Sequence, residues 1–272
     1  MPDVIPIANE LKHVTTLQIW LKDREDCTVA GKLLQRARHT QNIAIAFNSV
    51  ALDKRLGTPP EAAVAALDTL FAQCRKNKPG LQLLAVRLEG LDLGIAGAIL
   101  PTLTDLRGLR RLQIERCQAF DKLLEALTQT QLPLNSLVVT SRFYAGDLQV
   151  LKTFLDSPTG PHVLEKLRLT AGLGHVSIDC GIIESLITLG PARKVLELHD
   201  IKHSSALFDG GQYDDMKVLS LFTALSNLEQ LSIQVPKIER PFYRCHVLDR
   251  VTVSPSRACF PSFITDLIRR LA

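Results

Sequence analysis

One nine-residue stretch restricts the possible folds of this chain more than any other: Leu109-x-x-Leu112-x-Ile114-x-x-Cys117. Two apolar residues spaced two apart share one face of a β-strand. The same pair recurs at Leu17/Ile19, Ile43/Ile45, Val86/Leu88, Leu137/Val139, Leu167/Leu169, Leu196/Leu198, Leu231/Ile233 and Val251/Val253. The pattern predicts nine short strands. A further apolar residue precedes most pairs by three positions (Val14, Leu83, Leu109, Leu134, Leu164, Leu228, Leu248) and is replaced by a polar one at Thr40 and Arg193.

Successive pairs lie 26, 43, 26, 25, 30, 29, 35 and 20 residues apart, so most intervals fit one return limb. Several of those limbs carry a helical period: Leu123, Leu124 and Leu127; Leu148, Leu151 and Leu155; Ile182, Ile183, Leu186 and Leu189; Val218, Leu221, Phe222 and Leu225. Stripes of this spacing pack against a sheet. Gly and Pro at 108, 133, 146, 158, 160, 161, 190 and 191 punctuate the limb ends. The longest interval is expected to hold a polar loop, Asp53 to Pro60, and a helical run from Glu61 to Asn77. The interval of 35 holds a surface insertion over 199–215, rich in Asp, Ser and Gly. Each limb must return to the same end, so consecutive strands are expected to pair in parallel.

The unit resembles the leucine-rich repeat, L-x-x-L-x-L-x-x-N/C, in which each repeat supplies one strand and one return limb. It is most similar to the cysteine-containing repeats of F-box proteins and to the divergent repeat proteins common in fungal genomes. Cys117 fills the consensus cysteine position and Asn48 its alternative. The resemblance runs from about Val14 to Ser256. It implies an α/β leucine-rich repeat solenoid of about nine irregular repeats, with a curved parallel sheet on the concave side and helices on the convex side. Residues 1–272 would form one domain closed by a capping helix at about 260–271, since terminal repeats are often atypical. In the F-box family an N-terminal helical domain docks on a ubiquitin-ligase adaptor while the repeats select the substrate. Here the first strand pattern begins by Val14, so such an adaptor is expected only if an F-box is supplied elsewhere.

Composition narrows the function. Aromatics are 5% of residues and include one Trp, which disfavours aromatic-lined nucleic-acid platforms, and a net charge of +4 does not by itself imply a polyanion. The six cysteines form no C-x-x-C pair and no zinc-type spacing, pointing to reduced thiols in a cytoplasmic or nuclear protein. Cys117 reads as a buried structural thiol. No secretory signal is expected from the opening residues Met1 to Pro6, and the apolar run Gly94 to Leu100 is too short to span a bilayer. There is no P-loop and no G-x-S-x-G elbow, and Gly172-Leu173-Gly174 lacks a third fingerprint glycine. His199-Asp200-x-x-His203, with Asp209, Asp214 and Asp215, is the best metal candidate, but its Ser and Gly neighbours favour a solvated loop. No catalytic residue, cofactor, metal or membrane contact is expected, and the chain is read as a non-enzyme.

Residues of the opposite parity point away from the core. They give columns on the concave face that hold Trp20, Arg87, Glu89, Arg111, Gln113, Glu115, Lys166, Arg168, Glu197 and His199. This mixed-charge face, with an exposed Trp of the kind enriched in binding hot spots, is expected to bind a protein partner. Substrate recognition in an F-box-like ubiquitin-ligase system is one such role. The alternative is nucleic-acid or metal binding through the basic residues or the 199–215 insertion. The interspersed Glu89, Glu115 and Glu197 weigh against nucleic acid.

Overall fold

Each of the nine apolar pairs falls in a β-strand of the computed structural model. The structure describes residues 11–47, 66–67, 69–70, 81–94, 100, 104–130, 132–141, 145–157, 163–171, 180–189, 194–199, 208–209, 212–213, 224, 229–233 and 251–253. The fold is mixed α/β with mostly parallel strand pairing. It divides into two compact units, residues 1–134 with 159–161, and residues 135–158 with 162–272.

The first unit contains β1 (Thr16–Leu21), α1 (Arg24–Arg36), β2 (Asn42–Phe47), β3 (Leu81–Gln82), β4 (Ala85–Glu89), β5 (Thr104–Asp105), β6 (Arg111–Glu115) and α2 (Phe120–Thr128). Strands β1, β2, β4 and β6 form a parallel ladder that aligns Leu17, Ile43, Val86 and Leu112, and likewise Ile19, Ile45, Leu88 and Ile114. All but Leu17, on the edge strand, are buried. A repeated joint sets this register. The carbonyl just before each strand accepts two successive N–H groups from the next: Thr15 from Gln41 and Asn42 (both 2.9 Å), Gln41 from Leu84 and Ala85 (2.7 and 3.1 Å), Leu84 from Arg110 and Arg111 (2.9 and 3.1 Å). Both lone pairs of the acceptor are thereby used. Thr40, the polar substitute upstream of β2, is 1% exposed. Its hydroxyl donates to the Val14 carbonyl at 3.2 Å, so the burial leaves no orphan.

Helix α1 has no counterpart among the sequence expectations. Asp23 caps it by accepting from the Asp26 N–H at 3.0 Å, and Glu25 and Asp26 place negative charge in the first turn. It packs on β1 through Cys27, Ala30, Gly31 and Leu34, a stripe of mostly small side chains. Helix α2 buries Phe120, Leu123, Leu124 and Leu127. In the longest interval Ala66, Leu67 and Leu70 are helical and buried, whereas 53–60 lies outside the described residues. Strands β3 and β5 form a two-residue parallel ladder that the apolar pattern does not announce.

The second unit contains β7 (Ser136–Ser141), α3 (Ala145–Asp156), β8 (Lys166–Ala171), α4 (Cys180–Thr188), β9 (Val195–His199), β10 (Phe208–Asp209), β11 (Gln212–Tyr213), β12 (Gln230–Ile233) and β13 (Val251–Val253). Strands β7, β8, β9 and β12 pair in parallel with the same alignment of apolar pairs. The joint recurs: Asn135, Glu165 and Lys194 each offer one carbonyl to two N–H groups of the next strand. Helix α3 buries Leu148, Leu151, Phe154 and Leu155, α4 buries Ile182 and Leu186, and the two helices lie side by side.

The expectation of uniformly parallel pairing fails at the last strand. β13 runs antiparallel to β12, with Leu231 opposite Val253 and Ile233 opposite Val251. An antiparallel neighbour needs only a chain reversal, whereas a parallel one needs a crossover back to the same end. The interval of 20 residues is also the shortest in the chain. The 199–215 insertion contains a short hairpin, β10 with β11, on either side of Gly210-Gly211. The Val218 to Leu225 stripe, apart from Ala224, and the capping helix at 260–271 lie outside the described residues. Among the described residues no helix is long and apolar enough to cross a membrane.

Candidate functional site

Strand register places six of the expected site residues together on the first unit. The outward rows read Thr16, Asn42, Ala85, Arg111; Gln18, Ala44, Arg87, Gln113; and Trp20, Ala46, Glu89, Glu115. Trp20 is 61% exposed. Alanines at both β2 positions leave the sheet surface low between the larger side chains of β1 and β4. The result is a depression of about 50 Å³ lined by Gln18, Trp20, Ala44, Ala46, Arg87 and Glu89. Sequence reading of single residues missed Ala44 and Ala46. The signal was a pair of small outward residues flanked by large ones in the same two rows.

The charges beside this groove are already engaged with one another. Arg87 Nη2 lies 3.1 Å from Glu89 Oε2 and 3.1 Å from Glu115 Oε2. Arg116 reaches across to the other oxygen of Glu89, and Gln113 donates to Glu115. Two cations and two carboxylates therefore neutralise each other within the face. Arg111 is exposed and forms no ion pair among the described residues. Arg116 was not foreseen, because it follows β6 and escapes the strand parity. Its φ of 52° is left-handed, and the register continues β4 and β6 so that it matches Gly90, whose φ is 64°. Gly adopts that conformation without cost and Arg does not.

The remaining expected residues lie on the second unit. Arg168 Nη2 donates to Glu197 Oε1 at 2.8 Å, and Arg168 Nε lies 2.7 Å from Oε2 as an ion-pair contact whose angle does not make a second hydrogen bond. The Glu197 side chain is only 3% exposed against 40% for Arg168. Parity assigned Glu197 to the open face, yet it is buried, paired with Arg168 and flanked in register by Arg168 and the equally buried Ser232. Lys166 is half-buried and forms no ion pair among the described residues. His199 ends β9 opposite Thr170, and its side chain lies outside the described set.

Two thiols belong to the core. Cys117, 4% exposed, donates to the Leu88 carbonyl at 3.4 Å, and burial pushes its pKa up to about 12. Burial, aided by Asp26 and Asp23, lifts Cys27 to about 11. Neither is a nucleophile near neutral pH. Among the described residues no three His, Cys, Asp or Glu side chains are placed to hold a metal, and Asp200, His203, Asp214 and Asp215 fall outside them. No protein-family model matches the chain, and no curated protein sequence matches it.

Proposed function

We propose that the chain is a non-enzymatic, leucine-rich-repeat-like interaction module whose outward strand face binds a protein partner. The observation that carries this reading is Trp20, 61% exposed on a strand whose other face is core. A large apolar side chain held in water on a rigid element suits an interface anchor. The strand ladders, with the apolar pairs aligned from strand to strand, support the repeat reading with its expected nine repeats. Trp20 is the single aromatic residue in the three outward rows of β1, β2, β4 and β6, which supports a protein over a single-stranded nucleic acid, because such sites stack successive bases on several aromatic side chains. Substrate selection for a ubiquitin ligase is one form this role takes, and it requires an F-box on the same or another chain.

Affinity purification of the tagged full chain from its source cells tests the reading. Arg111→Glu and Lys166→Glu reverse charges that hold no ion pair among the described residues, so folding should survive. A specific partner recovered with the natural chain should be lost with the charge reversals. Retention of the same partner at full yield would place the interface elsewhere. Arg168 is unsuitable for this purpose, since its reversal would also break the pairing with buried Glu197.

A further inference from the structure

The groove on the first unit has two unlike walls and a flat apolar floor. One wall is the Trp20 indole, the floor is Ala44 and Ala46, and the other wall is Arg87 above Glu89. The cations lie outermost: the Arg87 and Arg116 side chains are 47% and 67% exposed, against 12% for Glu89 and 21% for Glu115. A docking chain therefore meets guanidinium N–H groups before it meets carboxylate. Arg87 holds both of its carboxylates through Nη2. Among the described residues no group accepts from its Nε or Nη1. The two glutamates fix the guanidinium in place, and donors remain for an incoming acceptor.

We infer that this groove receives a linear acidic peptide segment, with an aliphatic side chain seated on Ala44 and Ala46 against Trp20 and a neighbouring carboxylate on Arg87. This rests on the reading of the outward face as a protein-binding surface and specifies its ligand. Each part of the ligand answers one part of the groove. The alanine floor and indole offer apolar area without hydrogen-bonding groups, and the fixed guanidinium matches a carboxylate. A single-stranded nucleic acid fits less well, because such sites stack successive bases on several aromatic side chains. Trp20 is the only aromatic residue in the three outward rows of β1, β2, β4 and β6.

Selection of a random twelve-residue phage-displayed peptide library on the full chain, with a dT12 oligonucleotide bound in parallel, tests this inference. Enriched sequences should place Asp or Glu within three positions of Leu, Ile or Val. Synthetic versions should bind at least tenfold more weakly to Trp20→Ala, to Ala44→Leu, which fills the groove, and to Arg87→Gln. Lys32→Gln on α1 should bind as the natural chain does, and circular dichroism melting should confirm that each variant is folded. Basic or uncharged peptides that still depend on Trp20 and Ala44 would overturn the acidic-ligand inference while leaving the interaction face standing. Enriched peptides indifferent to every groove variant would contradict both. Failure to enrich any sequence, or dT12 binding abolished by Arg87→Gln, would overturn the inference.

Discussion

The Arg87 cluster of the first unit and the Arg168–Glu197 pair of the second use the same residue types on the same kind of outward strand row, yet they occupy different depths. In the first, carboxylates 12% and 21% exposed meet guanidiniums 47% and 67% exposed beside an open groove. In the second, a carboxylate 3% exposed is closed over by its arginine. Water screens the first and solvates each member when a partner is lost. It does little for the second. Identical chemistry thus stays open to water in one place and closes into a structural clasp in the other, and depth decides which.

The largest expected effect breaks the clasp. Arg168→Ala leaves the Glu197 carboxylate buried without its cation and should destabilise the fold by about 3–5 kcal/mol. Urea unfolding followed by circular dichroism would show it, and Arg168→Met combined with Glu197→Leu should recover most of the loss. A midpoint unchanged in Arg168→Ala would erase the contrast between the regions. Next, Leu112→Ala should cost about 2–5 kcal/mol, because the first unit draws its stability from the 2% exposed side chain behind the charges. Arg87→Ala, in front of the same ladder, should cost less than about 1 kcal/mol. Equal losses from Leu112→Ala and Arg87→Ala would mean that the surface cluster is structural too.

The smallest effect concerns the thiol beneath the cluster. Burial, with a lesser contribution from the nearby Glu89 charge, holds Cys117 protonated until about pH 12, whereas an ordinary thiol ionises at 9.0. A raised folded-state pKa gives a contribution that is fully present below pH 9 and declines as pH rises from 9 towards 12. Native Cys117 should therefore resist iodoacetamide at pH 8.5, and denaturation should expose it. Mass spectrometry resolves the labelling residue by residue. Rapid native labelling of Cys117 would show that the floor under the cluster is open.

The strand positions were legible because apolar pairs two apart carry a strong signal, and the parity of β1, β2, β4 and β6 followed from them. Strand direction was legible from the return limbs for the parallel ladders, but not for β13. An apolar pair two apart, as at Val251 and Val253, is the same pattern in a parallel or an antiparallel strand, so side-chain alternation cannot report the reversal of β13. Helix α1 escaped notice because Cys27, Ala30 and Gly31 give little hydrophobic contrast along its buried stripe. Glu197 shows a different limit. Parity chose its face, while its depth goes with the pairing to Arg168, in a strand far apart in sequence. The groove was half legible: Trp20 and Arg87 stood out as large outward residues, whereas the alanines between them matter by what they lack.

The central claim is that a partner meets the outward strand face and not the helices. Photo-crosslinking residues placed one at a time at Gln18 and Gln113 on that face, and at Lys32 and Lys122 on α1 and α2, test it most directly in extracts of the source cells. The account predicts a discrete adduct, identifiable by mass spectrometry, from Gln18 and Gln113 and none from the helix positions. The same adduct formed from Lys32 or Lys122, with none from the strands, would contradict it.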